Sequence, residues 1–277
     1  MCAANAVDVS RPRASRPWSA YVAVARATFR RYSTYRMATF AYALETSVAS
    51  MIQAFVLIAA VRTIGDSADL TRDEAATFAF LSGITQLALW VTVPLDIDGR
   101  IRTGDVIVDL QRPVDFQAWW CASEAGRAVH ALLTRGLLPY VFGVVVLDIA
   151  VPESVGTFAL YLLSLALGFT VAYAWRFIVS LSGFWMLDTR GAASLAGVIV
   201  TFASGALLPL SLLPDGLADV MRVLPFASIV QTPFEVFTGE RAVAPALAGQ
   251  LVWAIVLLAV GRLVLRRAVA KVVIQGG

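Results

Sequence analysis

Residues 156–186 read GTFALYLLSLALGFTVAYAWRFIVSLSGFWM, and Arg176 is the single charged side chain in the stretch. A helix needs about 20 predominantly apolar residues to cross the hydrocarbon core of a bilayer. This stretch is longer than that, so it predicts a spanning helix that projects beyond the bilayer. It therefore indicates an all-α integral membrane protein.

The composition of the whole chain points the same way. Of its 277 residues, 59% are hydrophobic and 15% are charged, and the mean hydropathy is +0.76. An average soluble domain has about 25% charged residues. A disordered chain combines low hydrophobicity with high charge. The composition thus argues against an ordinary globular enzyme and excludes a disordered chain.

Five further apolar runs complete a prediction of six spanning helices. The predicted spans are residues 37–61, 75–95, 132–151, 156–186, 192–213 and 243–264. The start of the third helix is left open, because Arg135 interrupts its apolar part. The predicted organisation is a mobile cytoplasmic tail (1–17), an interfacial amphipathic helix (18–36), a single six-helix transmembrane domain (37–267) and a cytoplasmic C-terminal tail (268–277).

The placement of the basic residues orients these spans. With the N-terminus inside, 18 of the 22 basic residues fall on the cytoplasmic side. The outside keeps Arg62, Arg72, Arg222 and Arg241. Cytoplasmic loops carry an excess of Lys and Arg. The distribution therefore predicts that both termini are cytoplasmic, which requires an even number of spans.

The segment before the first span has the period of an amphipathic helix. Its apolar arc contains Trp18, Tyr21, Val22, Ala25, Phe29 and Tyr32. Arg26, Arg30 and Arg31 lie outside this arc. Such a helix can lie in the membrane interface with its rings toward the lipid tails, and we favour that interpretation. The alternative is a cytoplasmic helix packed on protein.

Two connections are more than simple loops. In the cytoplasmic one, Val106, Ile107 and Leu110 form a short apolar helical face beside acids, and Pro113 ends it. The extracellular one, residues 213–241, contains three prolines yet is rich in Leu, Val and Phe. Such a segment can dip back into the membrane when protein covers its broken backbone. The sequence therefore predicts a re-entrant segment between the fifth and sixth helices.

Several polar side chains fall inside the predicted spans, where they are costly and often functional. Those considered for a substrate pathway are Glu45, Gln53, Thr85, Gln86, Thr201 and Ser204. The alternative for them is hydrogen bonding and packing between helices. Thr201 belongs to a stripe of small residues that also permits close helix approach. Arg176, near the inner end of its span, is interpreted as reaching the interface.

The sequence offers little for nucleotide or metal chemistry. A phosphate-binding loop needs Gly-Lys-Ser/Thr, but the only lysine, Lys271, is followed by Val272. His130 is the only histidine, and we interpret it as a surface or interfacial residue. The pairs Asp96/Asp98 and Asp105/Asp109 would suit a Mg²⁺-dependent, lipid-modifying membrane enzyme. This is the weaker alternative, and no metal site or catalytic residue is predicted.

Three stretches together resemble the permease subunits of type-2 ABC transporters, which are mostly exporters. They are the amphipathic N-terminal helix, the loop from Arg102 to Pro113, and the segment from Ser204 to Leu210 with the Leu-Pro pairs that follow it at 213–214 and 224–225. Each stretch is short, and their order along nearly the whole chain carries the resemblance.

The resemblance implies six spans, cytoplasmic ABC ATPase subunits as partners, and a second permease copy in a homodimer or heterodimer. It implies no cofactor in this chain, with ATP and Mg²⁺ on the ATPase, and a multi-pass location in the bacterial plasma (inner) membrane. Membrane lipids are expected neighbours, and no nucleic acid is expected. The implied residues for coupling to the ATPase are Gly104, Asp105, Ile107, Leu110, Arg112 and Pro113. An extracellular gate is expected at Leu208, Pro209, Pro225 and Phe226.

The expected function is export of a hydrophobic or amphipathic compound, such as a drug-like molecule, a lipid or a metabolite. The alternative from a different class is an ion-coupled secondary transporter in which Glu45 titrates within the membrane.

Overall fold

The computed structural model describes residues 17–65, 70–89, 92–93, 95–186 and 188–275. Within these ranges the chain is helical and has no β-strand. The α-helices are α1 (Pro17–Ser33), α2 (Arg36–Ile64), α3 (Arg72–Leu89), α4 (Ile97–Thr103), α5 (Val106–Leu110), α6 (Phe116–Ala131), α7 (Leu137–Leu147), α8 (Val155–Leu181), α9 (Arg190–Ala203), α10 (Asp215–Val223), α11 (Gln231–Thr238) and α12 (Val243–Gln275).

Four helical segments of the described chain are long and apolar enough to cross a membrane. They are Arg36–Ile64, Phe116–Leu147, Val155–Phe184 and Val243–Ala270. These correspond to the first, third, fourth and sixth predicted spans. The third begins at Phe116, upstream of its apolar part, because a π-helical turn over Leu132–Gly136 joins α6 to α7. The prediction of a multi-pass, all-α membrane protein is confirmed.

The second predicted span corresponds to α3, which is more buried than the other long helices of the described chain. Twelve of its 18 residues are buried. It packs along the row of small buried residues on α2, which are Ala43, Ser47, Ser50 and Ala54. The approach is close, since a Cβ on Gly83 would collide with the Ser50 hydroxyl. The polar character of the first span thus reflects helix packing at Ser47 and Ser50.

The fifth predicted span is shorter in the structure than in the sequence prediction. Helix α9 has 14 residues and ends at Ala203. Gly205 then adopts a φ of +76°, which glycine reaches without steric cost. Pro209 follows, and a short 3₁₀ turn over Leu210–Leu212 leads to α10. The helix ends because the positive φ of Gly205 does not continue a right-handed helix.

The apolar connection after α10 is folded into the helical body. Every residue from Pro225 to Phe237 is buried, and the segment packs against α8, α12 and α3. At Gly168 of α8, a Cβ would lie 2.9 Å from the carbonyl oxygen of Ser228. Protein therefore covers this broken stretch of backbone, as the sequence prediction required.

The structure describes little of the predicted N-terminal tail and most of the predicted C-terminal tail. The N-terminal tail lies outside the described residues except for Pro17, which begins α1. At the other end, α12 continues without a break past residue 267 to Gln275.

Candidate functional site

The predicted coupling loop folds as two short helices joined by a tight turn. Helices α4 and α5 are separated by Gly104, which has a φ of +82°. Glycine is favoured at such a position because it has no Cβ to clash. The Thr103 hydroxyl donates to a carboxylate oxygen of Asp105 over 2.9 Å. The turn places Gly104 and Asp105 at the exposed tip.

The inner side of this element is tied to the bundle. Val106 is 3% exposed and packs in a cluster with Leu95, Ile97 and Phe116, and Leu110 is half-buried against the same cluster. Leu110 is therefore a packing residue rather than an exposed contact residue. Its role in coupling to an ATPase stays a prediction.

Asp109 anchors the element electrostatically. It is 5% exposed and forms ion pairs with Arg100 and, over 3.0 Å, with Arg112. The hydrogen bond from Arg100 to Asp109 raises the pKa of the arginine above its ordinary value, so the arginine remains a cation. Charge-assisted, bidentate pairs of this kind are the stronger ones.

The outer side of the element is apolar and exposed. Ile107 is 48% exposed and Val108 is 59% exposed. Arg112 lies with its guanidinium carbon 5.1 Å from the ring centre of Trp119, and Pro113 is exposed beside it. The sequence prediction did not include Val108. In a helix, Val106, Ile107 and Leu110 lie on one face, and Val108 points away from that face.

A buried cluster of charges lies behind this element. Glu124 of α6 accepts hydrogen bonds from Arg127 over 3.0 Å and from Arg176 of α8 over 2.8 Å. Arg127 is 2% exposed and Arg176 is 4% exposed. Arg176 thus makes hydrogen bonds between helices, with its side chain turned inward to this carboxylate.

The same two arginines hold the end of α3. Arg127 donates to the carbonyl of Ala88 over 3.2 Å. Arg176 donates to the carbonyls of Leu89 over 3.3 Å and Val93 over 2.6 Å. The last carbonyls of a helix lack partners in the helix and carry partial negative charge. The cluster thus joins α3, α6 and α8 through charge-assisted hydrogen bonds.

The predicted pathway residues fall into different environments. Gln53 donates to the carbonyls of Ala206 and Leu207, each over 3.1 Å, and Gln86 donates to Ala206 over 3.4 Å. Thr85 is 2% exposed. These contacts stabilise the turn after α9 from α2 and α3. Hydrogen bonding between elements is therefore what the structure shows for the two glutamines.

The other three predicted pathway residues also differ among themselves. Thr201 donates to the carbonyl of Gly197 within α9. Ser204 is fully buried, and its hydroxyl accepts from the backbone N–H of Ala206 over 3.3 Å. Glu45 is exposed on the outer side of α2, between the exposed apolar side chains of Leu44 and Val48.

The four predicted gate residues lie around the turn after α9 and the buried segment. Pro209, Pro225 and Phe226 are buried, and Leu208 is half-buried. The Phe226 ring meets Trp175 of α8 edge to face, with centroids 5.0 Å apart. They occupy a packed region rather than an open one.

A polar network inside the buried segment was missed by sequence reasoning. Gln231 accepts from the N–H of Leu210 over 3.3 Å and donates to Glu235 over 3.1 Å. Gln250 of α12 donates to the carbonyl of Ser228 over 2.7 Å. Buried polar groups must be hydrogen-bonded, and these three side chains meet that demand. Their sequence signal was weak, because each stands alone in an apolar run.

Helix α1 packs along α6. A Cβ on Gly126 would collide with the carbonyl of Ala25, so the two backbones nearly touch. The Thr28 and Ser123 hydroxyls are 3.0 Å apart. Phe29 meets His130 edge to face at 5.3 Å, and His130 is 1% exposed. The interpretation of His130 as a surface residue is wrong.

The predicted apolar arc of α1 is divided between two surroundings. Phe29 and Tyr32 contact the ring of His130, and Tyr21 accepts a hydrogen bond from the N–H of Asp115. Trp18 is 76% exposed and Val22 is 46% exposed. Packing on protein thus accounts for most of the arc, and two apolar side chains remain on its outer edge.

The acid pairs considered for Mg²⁺ are engaged elsewhere. Asp109 pairs with arginines, and Asp98 accepts from the Thr189 hydroxyl over 2.9 Å. Among the described residues, no three His, Cys, Asp or Glu side chains form a group suited to a metal ion.

The helices and this site define a multi-pass α-helical membrane protein with a compact polar element at one end of its bundle. The sequence matches the family described as ABC-2 family transporter protein over residues 21–276. The chain therefore belongs to the ABC-2 transporter family, whose permeases are membrane transport components that generally pair with ATPase subunits. A search of the curated proteins finds no match.

Proposed function

We propose that this chain is the permease subunit of an ABC exporter that moves a hydrophobic or amphipathic compound with energy from a separate ATPase subunit. One observation carries the proposal beyond family membership. An exposed apolar pair, Ile107 and Val108, stands on a base fixed by the buried carboxylate of Asp109. A short apolar element framed by charges suits a groove on a protein partner.

The packing of this base supplies a mechanical route. The buried cluster beneath α5 includes Phe116 of α6, Phe177 of α8 and Leu265 of α12. A displacement of the element would therefore act on three long helices at once. Packed interiors are stiff and transmit such displacements, so ATPase closure would shift the balance between inward-facing and outward-facing states.

Six membrane crossings remain our proposal for the topology, with α3 and α9 as the two additional ones. At about 1.5 Å per residue, the 18 residues of α3 cover most of a hydrocarbon core of about 30 Å. Helix α9 is shorter than α3. The turn after α9 and the buried segment Pro225–Phe237 would together span the rest of the hydrocarbon core. The burial of that segment supports a re-entrant position.

The orientation follows from the basic residues. Arg31, Arg100, Arg102, Arg112 and Arg190, all assigned inside, line one cleft. Glu240, near the opposite end, is close enough to Glu74, Glu235 and Arg222 for their charges to affect its pKa. The predicted inside and outside segments thus gather separately, which supports cytoplasmic termini in a bacterial plasma membrane.

A second permease copy is proposed to cover the outer side of α2. Glu45 is exposed there within a spanning helix, and a carboxylate facing lipid tails is costly. Coverage by another permease, identical or related, would give Glu45 a polar neighbourhood and place it beside the pathway between the two copies.

The substrate class is supported by an apolar cavity of about 410 Å³. It is lined by residues of α3, the α6–α7 helix, α8 and α11, among them Leu81, Gly136, Tyr140, Phe158 and Phe237. A lining of this kind favours hydrophobic groups.

The test is co-purification of the permease with a tagged ATPase subunit encoded beside its gene. The test variant is Val108→Asp, and the matched control is Val220→Asp on α10. Both valines are 59% exposed, and the proposed topology puts them on opposite sides of the membrane. A substitution at Leu110 is avoided, because that side chain packs in the cluster beneath α5.

We expect Val108→Asp to reduce complex yield and substrate-stimulated ATP hydrolysis about tenfold or more, equivalent to about 1.4 kcal/mol of binding. Val220→Asp is expected to leave both unchanged. Equal yields for the two variants would contradict the assignment of the coupling element. Absence of any ATPase partner for a well-folded permease would contradict the proposed function itself.

A further inference from the structure

A polar cleft of about 590 Å³ opens between α1, α4 and α6 at the end of the bundle that carries the coupling element. Its floor is formed by the ion pair of Glu124 and Arg176, which are largely buried. Tyr32, Trp119 and Trp120 contribute aromatic surface to its wall. The cleft is large enough for a small-molecule headgroup, since ligand pockets typically enclose about 300–1,000 Å³.

The charges lining the cleft are mostly cationic. Six arginines face four acids. The arginines are Arg31, Arg100, Arg102, Arg112, Arg176 and Arg190, and the acids are Asp96, Asp98, Asp109 and Glu124. An excess of two positive charges in a concave, partly desolvated site attracts and concentrates anions.

Two of the arginines on the rim have guanidinium N–H groups available to a ligand. Arg31 forms no ion pair within the described part of the chain. Arg102 approaches Asp98 only to 3.8 Å, which is beyond hydrogen-bond distance, and its side chain is 47% exposed. Asp98 is instead held by the Thr189 hydroxyl. By contrast, Arg190 is bound by Asp188, and hydrogen bonds from Arg190 lower the pKa of that carboxyl to about 2.

The remaining arginines are fixed by buried carboxylates, so they supply charge without freedom of movement. Arg100 and Arg112 share Asp109, and Arg176 is held by Glu124. The cleft therefore combines immobile cations on its floor and side with two available guanidinium groups at its mouth. Guanidinium forks match the oxygens of phosphate in two-point contacts.

We propose that this cleft binds a phosphate group, either the headgroup of an anionic phospholipid or a soluble phosphorylated compound. The site lies within one permease chain and needs no ATPase. A test of phosphate binding is therefore independent of the proposed transport function. The aromatic side chains beside the arginines suit the region where lipid headgroups meet the acyl chains.

The experiment uses the full chain purified in a neutral detergent, with native mass spectrometry to count bound molecules. One arm titrates phosphatidylglycerol against phosphatidylcholine, and the other titrates inorganic pyrophosphate. The test variant is Arg31→Gln with Arg102→Gln. The control variant, Arg30→Gln with Arg222→Gln, removes the same charge from residues that do not line the cleft.

We expect selective binding of phosphatidylglycerol or of pyrophosphate, weakened about tenfold or more in the test variant and less than twofold in the control. Binding of phosphatidylglycerol without binding of pyrophosphate identifies a lipid headgroup as the ligand. Binding of pyrophosphate identifies a soluble phosphate compound. An equal loss in both variants would show unspecific charge attraction and overturn the proposal, as would failure of both probes to bind. Size-exclusion profiles and helicity verify that both variants fold.

Discussion

Neutralising Glu124 is expected to destabilise the protein strongly. The Glu124→Gln variant keeps the shape of the side chain but leaves Arg127 and Arg176 buried without an anion. These arginines are 2% and 4% exposed. Burying an uncompensated charge is costly because solvation is lost and no opposite charge replaces it.

The expected magnitude follows from the geometry. Breaking a buried ion pair by removing one partner costs about 3–5 kcal/mol. The carbonyls of Ala88 and Leu89 still accept from the two arginines, so part of the network survives and the lower half of this range applies. At roughly 2–4 °C per kcal/mol for a chain of this size class, a loss of about 3–4 kcal/mol should lower the apparent melting temperature by roughly 6–16 °C.

The assay is thermal unfolding of purified protein in one detergent, followed by the loss of helical circular dichroism at a fixed scan rate. Glu153→Gln is the matched control, because Glu153 is exposed in the connection before α8 and its change should stay within about 0.5 kcal/mol. The double variant Glu124→Gln with Arg176→Met should lose less than the sum of its single changes, since the two side chains are in contact. A drop for Glu124→Gln no larger than that of the control would refute the reasoning.

Three further predictions concern other contacts. Gly126→Val should separate α1 from α6, because the added side chain meets the Ala25 carbonyl. Proteolysis within α1 should then become several-fold faster. An unchanged rate of proteolysis would contradict the close approach of the two helices. Gln231→Leu leaves the Leu210 N–H without its acceptor and should cost about 1–3 kcal/mol in detergent unfolding, whereas a neutral result would show that the network is dispensable. Partial desolvation of its carboxyl and the charges of nearby Glu74 and Glu235 raise the pKa of Glu240 above its ordinary value of 4.5, so its contribution to stability is present below that pH and is lost as pH rises through the folded-state pKa. Stability measured from pH 4 upward should therefore decline less in Glu240→Gln, and identical pH profiles would count against this.

The long spans were predictable because their signal is local. A run such as residues 156–186 must be helical in lipid, since each backbone group then finds its partner within the same segment. The position of the short helix α5 was also predictable, because Gly104 and Pro113 mark the turn before it and the end after it. The inward or outward direction of Leu110 and Val108 was not, since a five-residue helix is too short for its spacing to fix which side is covered.

The polar residues of the candidate sites were harder to interpret for a related reason. Gln53, Gln86 and Arg176 are isolated polar residues in apolar runs. Either a substrate pathway or a hydrogen bond between helices would explain a polar residue at such a position. Their partners are carbonyls more than 80 residues away along the chain. No local pattern encodes such a pairing.

The sequence by itself determined that the protein is all-α and belongs in a membrane, because the length and apolar character of its helices act through the bilayer and need no knowledge of neighbouring helices. Only the tertiary structure decided where the buried charges go. Glu124 sits in a stretch that the sequence assigned to a cytoplasmic connection, yet it neutralises an arginine 52 residues away. A buried charge is tolerated only beside its counter-charge, and that proximity is a property of the folded chain.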